Sequence, residues 1–148
     1  MTIERKVGMG IAGQPTGPAA DVAEVFSTYV YQGSSTSQSP ITRTINNGID
    51  LAGEGGLVWI KNRSRAVSHQ LYDTERGALK GLYTDSTSSQ QTYSNTLTSF
   101  VSNGFTLGAD GSNGVNLSID KYASFTFRKK KKFFDIVTYT GNSGTSQT

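Results

Sequence analysis

Residues able to do chemistry are sparse in this chain. His69 is its one histidine, and there is no cysteine. A zinc centre draws several imidazole or thiolate ligands together, and no H-E-x-x-H helix motif occurs. A Ser-His-Asp triad would have to use His69, yet no G-x-S-x-G elbow is present to expose a nucleophile. In the alternating run Ser68-His69-Gln70-Leu71-Tyr72, His69 shares a face with Leu71 and reads as a half-buried strand histidine. Gly8-Met9-Gly10-Ile11-Ala12-Gly13 matches G-x-G-x-x-G, a motif that needs a strand before it and a helix after it. A charged hexamer precedes it and Gln14-Pro15 follows, so the segment reads as part of an arm. Asp110-Gly111-Ser112-Asn113-Gly114 offers oxygen ligands but lacks the further acidic positions of a calcium loop, and reads as a hairpin turn. Asp73, Glu75 and Asp85 have no spacing that fixes a glycosidase pair. The expectation is a protein with no catalytic residues, cofactor or metal.

Two features remain. Arg128-Lys129-Lys130-Lys131-Lys132 sets five cations side by side. Mutual repulsion keeps such a run solvated, so it reads as a basic linker, or as a contact for an acidic subunit or phosphorylated glycan. No nucleic-acid-binding motif surrounds it. Trp59, Tyr83 and Tyr93, with the polar loop Thr84 to Thr92, are candidates for sugar contact, although Trp59 inside Leu57-Val58-Trp59-Ile60 reads as core.

The elements that must carry these residues are short strands. Glycine at 17 and charged residues at 17%, alongside 7 Tyr and 7 Phe, favour strands and tight turns over helices. With a mean hydropathy of −0.39 and no apolar run near the length of a spanning helix, insertion in a membrane is not expected. The N-terminal Met1 to Lys6 leads into no apolar signal core. The cysteine-free composition suits folding in a reducing cytosol. Residues 1–25 are broken by Gly and Pro and read as an arm, with a helical turn after Pro18 over Ala19 to Glu24. Alternation then predicts strands over Phe26–Tyr31, Ile41–Ile45, Ser68–Tyr72, Gly104–Leu107, Val115–Ile119 and Tyr122–Phe127, with Leu57–Lys61 buried on both faces. Asp110-Gly111 and Asn113-Gly114 predict a hairpin. Asp73 to Lys80 is the one expected helical turn in the body. Together these predict an all-β fold: a β-sandwich of jelly-roll or lectin-like type, preceded by an extended N-terminal arm.

The chain also repeats itself. Phe134, Tyr139 and Gly141 each lie 108 positions after Phe26, Tyr31 and Gly33. With one residue inserted at Gly144, Thr36-Ser37-Gln38-Ser39 continues onto Thr145-Ser146-Gln147-Thr148. A period of this size is that of a sandwich domain. The expected organisation is an arm over 1–25, a sandwich over 26–132 and the start of a second copy over 133–148.

These segments resemble a repeat of phage tail-fibre and virion structural proteins, particularly those of marine bacterial viruses. The likeness rests on Asn47-Gly48-Ile49-Asp50-Leu51, Gly55 to Lys61, Asp73-Thr74-Glu75-Arg76-Gly77, Ser102 to Gly108, and the joint from Phe125 to Arg128 and on through Phe133 to Gly141. Lys129 to Lys132 depart from it, being more charged than such a joint leads one to expect. The resemblance implies a lectin-like sandwich repeated along a homotrimeric fibre, in a virion tail assembled in the bacterial cytoplasm. It implies no nucleic-acid partner and leaves a host cell-surface glycan as a distal target. The arm would dock to tail or baseplate proteins, with Ile3, Val7, Met9 and Ile11 as apolar contacts and Arg5 and Lys6 pairing to acidic groups. The alternative is a free-standing carbohydrate-binding module.

Overall fold

The structure, a computed structural model, describes residues 21–110 and 114–141. Asp21 caps a four-residue helix, α1 (Val22–Val25), its carboxylate accepting from the Ala23 amide at 3.0 Å. Val25 at its end is buried. The chain then enters β1 (Phe26–Gln32), followed by β2 (Arg43–Asn46), β3 (Gly56–Asn62), β4 (Gln70–Asp73), β5 (Lys80–Tyr83), β6 (Gln91–Thr92), β7 (Leu97–Val101), β8 (Gly104–Leu107) and β9 (Lys121–Arg128). The Pro18–Ala20 start of the expected helical turn lies outside the described residues.

The strands form two antiparallel sheets, one of six in the order β1-β9-β3-β4-β5-β6 and one of three in the order β2-β8-β7. They pack as a β-sandwich. Val58, Ile60, Tyr72, Tyr122 and Tyr31 from the larger sheet meet Ile45, Leu97, Phe105 and Leu107 from the smaller, with Ile49, Leu51 and Val115 closing the ends. Burying a Leu or Ile side chain fully contributes about 2 kcal/mol, so this cluster is the main source of stability. Its polar ends are satisfied internally. The Tyr31 hydroxyl donates to the Val115 carbonyl at 2.9 Å, and Asn116 Nδ2 donates to the carbonyls of Gly108 and Ile41. Asp120 accepts from Asn62 Nδ2 at 2.7 Å and Arg65 Nε at 2.6 Å. Burying these groups without partners would cost more than the bonds contribute.

Several local expectations are corrected. β3 alternates between buried and half-buried positions, so Leu57, Trp59 and Lys61 lie on the outer face of its sheet rather than inside a doubly covered strand. Trp59 stacks at a tilt on Phe125 (5.7 Å) and on His69 (6.3 Å). His69 lies one position before β4 and is half-buried. Val115 to Ile119 forms an irregular loop, tied through a single bridge between Ser35 and Leu117 and through bonds from the Ser34 and Ser35 amides to the Asn116 carbonyl. Gly114 and Val115 therefore start no hairpin strand. Asp73 to Lys80 makes a single helical turn, closed by the Gly77 amide on the Asp73 carbonyl at 3.0 Å, and then passes through Leu79 (φ +67°) into β5.

Candidate functional site

The described residues hold no group of His, Asp or Glu able to bind a metal. The feature with the strongest local field is the basic run after β9. Its residues divide into two sets. Gly56 pairs with Arg128 in the β3–β9 ladder, which brings Glu54, two residues earlier, within 3.2 Å of the Arg128 guanidinium. The Lys129 amide donates to the Gly55 carbonyl at 2.9 Å, extending the ladder by one bond. Its ammonium reaches Glu75 at 2.6 Å and Asp135 at 3.6 Å. The hydrogen bond to Glu75 holds that ammonium above the usual lysine range. Arg128 and Lys129 are thus half-buried, ion-paired parts of the fold rather than a solvated linker.

Lys130, Lys131 and Lys132 behave differently. Lys130 and Phe134 exchange two backbone hydrogen bonds at 3.0 and 3.1 Å, closing a tight turn over Lys131, Lys132 and Phe133. Lys132 sits at its tip with φ +69°, a left-handed conformation that costs a non-glycine residue about 1 kcal/mol. All three lysines are exposed and none forms an ion pair among the described residues. They border an open cleft of about 590 Å³ with Glu54, Asp135 and the 46% exposed Phe133. Glu54, Glu75 and Asp135 neutralise the base of the turn, and its tip keeps three uncompensated cations.

Beyond the turn, Phe134 lays its ring 5.3 Å from Phe127, and residues 135–141 continue without joining a strand. Val137 and Tyr139 are 75% and 79% exposed. Together with Thr138 they border a second open cleft against Glu75, Arg76, Lys80 and Gln90.

The other candidate residues are dispersed. Ile3, Arg5, Lys6, Val7, Met9 and Ile11 lie outside the described residues. Tyr83 and Tyr93 join through a 2.6 Å hydroxyl bond, and Tyr93 packs on the core beside Tyr72. Burial raises the Tyr93 hydroxyl well above the usual tyrosine range, and the bond it donates to Tyr83 adds to this. The pair closes the β5–β6 end, and Trp59 lies on the far side of β4 from it. The aromatic residues named as sugar contacts are therefore not gathered into one surface. The loop Thr84 to Gln90 is exposed. Asp110 is buried, its carboxylate accepting from the Val115 amide at 3.0 Å. Glu54 and Asp135 were not singled out in the sequence, and Glu75 was named there only as a carboxylate without a catalytic partner. Asp135 is close enough in the chain to have been suspected, but Glu54 and Glu75 reach the basic run only through the pairing of β3 with β9 and β4.

Among known protein families, one described as a domain of unknown function, DUF7483, matches residues 21–148. No curated protein and no solved structure matches the chain. The family match runs from the cap of α1 through both sheets and the basic turn to the last residue, and the chain therefore belongs to the DUF7483 family.

Proposed function

We propose that this chain is a structural module of a phage tail fibre or related virion protein, a β-sandwich suited to association with copies of itself and to docking through residues 1–25. The observation that carries this reading is the return, in residues 134–141, of the residues that seat the first strand: Phe134, Tyr139 and Gly141 repeat the spacing of Phe26 and Tyr31 in β1 and of Gly33 just after it. A strand code repeated at the exit of a sandwich suits a protein that works by assembly. The basic turn lies at the same exit, where an acidic patch on a neighbouring subunit would meet it. On this reading Ile3, Val7, Met9 and Ile11, with Arg5 and Lys6, contact a tail or baseplate protein, and the assembled form is a homotrimer. Deleting residues 2–20 is expected to abolish incorporation into virions while leaving the melting transition of the sandwich intact. Normal incorporation of the deleted chain would refute the docking role.

A second reading, a lectin-like module for phosphorylated glycans, is favoured by the three uncompensated lysines around the cleft beside Phe133. It predicts that binding of the chain to a phosphorylated glycan falls steeply with salt and is lost on Lys130→Gln/Lys131→Gln/Lys132→Gln. Binding unaffected by that substitution would exclude the turn as the site.

A further inference from the structure

The edge of β9 is a fitted slot, and its fit rests on two positions of β1 and the glycine just after it. Phe26 packs its ring 4.9 Å from Phe127, its partner in register. Tyr31, 6% exposed, stacks on Tyr122 at 5.0 Å and is anchored through its hydroxyl to Val115. Gly33 follows at a point where the backbone runs against residues 116 and 117. A Cβ there would lie 2.1 Å from the Leu117 carbonyl oxygen, so no other residue fits without moving the main chain.

Residues 134–141 carry the same three residue types at the same spacing, with Ile136, Val137 and Thr138 between them. Their own environment uses the phenylalanine, which rests on Phe127, but not the tyrosine or the glycine. Tyr139 is almost fully exposed, and the Cβ position of Gly141 has nothing within 4 Å. The segment cannot use its own slot, because β1 fills it along seven paired positions. From Phe134 it also runs toward Glu75, Arg76, Lys80 and Gln90, beside β4 to β6 and away from the β1 edge. The family span takes in both segments, so the matched domain holds one slot and two segments that carry the residue types it fits.

We propose that residues 134–141 are a second β1, fitted to the β9 edge of another copy of this chain, so that copies associate by strand exchange when that copy's own β1 is released. The partner is thereby specified: a second copy, paired antiparallel with Phe134 opposite Phe127, Thr138 opposite Ala123 and Tyr139 opposite Tyr122. β1 is suited to release, because it is an edge strand and gives up a single ladder on leaving. Insertion of a segment with the same phenylalanine, tyrosine and glycine then restores the contacts those three positions give up on release. The inference goes beyond the fibre reading and holds or fails without it.

The chain has no cysteine, so an introduced pair reports one register without interference. In the full chain, Gly33→Val disables β1 by the Leu117 clash and leaves 134–141 untouched. Combined with Ala123→Cys/Thr138→Cys, it is expected to give, at high protein concentration, a folded multimer cross-linked between chains. Adding Gly141→Val is expected to abolish both the multimer and the cross-link. In the chain with native Gly33, annealing just below the melting temperature should let the same cysteine pair form interchain cross-links. Val30→Cys/Ala123→Cys, which locks β1 in place, should instead give an intrachain bond. A monomer, an intrachain cross-link at Thr138→Cys, or equal unfolding of Gly33→Val with and without Gly141→Val, together with no interchain cross-link after annealing, overturns the proposal.

Discussion

Residues 26–33 and 134–141 share a pattern and differ in most of their contacts. In β1 the phenylalanine packs in register and the tyrosine is buried and hydrogen-bonded, and just after it Gly33 is forced by a carbonyl oxygen. In the later segment the phenylalanine finds the same Phe127 ring from outside the ladder, while the tyrosine and glycine touch little. Alternation and β-branched residues make a segment able to be a strand. A partner edge with unpaired donors and acceptors decides whether it becomes one. Here the edge of β9 is occupied, and residues 135–141 join no strand.

That contrast predicts unequal effects of equal substitutions. The largest is Gly33→Val, whose overlap with backbone is expected to destabilise a dilute chain by more than about 4 kcal/mol in urea unfolding. Gly141→Val should stay within about 0.5 kcal/mol of the parent, the range of surface substitutions. Equal losses would mean that the later segment has a docked role in the isolated molecule. Tyr31→Phe, which leaves the Val115 carbonyl without its donor, should cost about 1–2 kcal/mol, and Tyr139→Phe nothing measurable.

The buried tyrosines sharpen the contrast by pH. Burial pushes the Tyr122 hydroxyl up to about 12, and it raises those of Tyr31 and Tyr72 as well. Unfolded tyrosines ionise near pH 10. Above that value the unfolded chain loses protons that the folded chain retains, so stability falls as pH rises. Stability is therefore expected to be fully present below about pH 10 and lost between about pH 10 and the Tyr122 value of about 12. Urea midpoints recorded across that window check it, and a flat profile would contradict the buried cluster. The smallest effect is at the turn between the two segments. Lys132→Gly should stabilise by about 0.5 kcal/mol, the left-handed strain relieved less the entropy glycine adds to the unfolded chain. Lys131→Gly should give no such gain.

Much of the sandwich was legible in the sequence because its central strands alternate strongly. Phe26 to Tyr31, Tyr122 to Phe127 and Gly104 to Leu107 each become a strand near the expected bounds. β5, β6 and β7 were not legible. β5 and β7 read Lys-Gly-Leu-Tyr and Leu-Thr-Ser-Phe-Val and β6 is only Gln-Thr, so none alternates long enough for periodicity to show a strand. Val115 to Ile119 alternates yet is no strand, because Tyr31, Tyr122 and the amides of Ser34 and Ser35 claim its backbone groups. The basic run was visible as a charge cluster, but its division into two paired and three free cations depends on Glu54 and Glu75, which only sheet register brings near. The demand for glycine at position 33 was likewise invisible, since it comes from a carbonyl 84 positions further along at Leu117.

The central claim is that 134–141 carries the code of β1, and transplanting it tests this most directly. In the full chain, Phe26 to Gly33 is replaced by the sequence Phe134 to Gly141, and unfolding is followed in urea. The account predicts a cooperative sandwich within about 2 kcal/mol of the parent, the loss arising from positions such as Gln32, whose side chain bonds the Ser118 carbonyl. A transplanted chain that no longer unfolds cooperatively would contradict it.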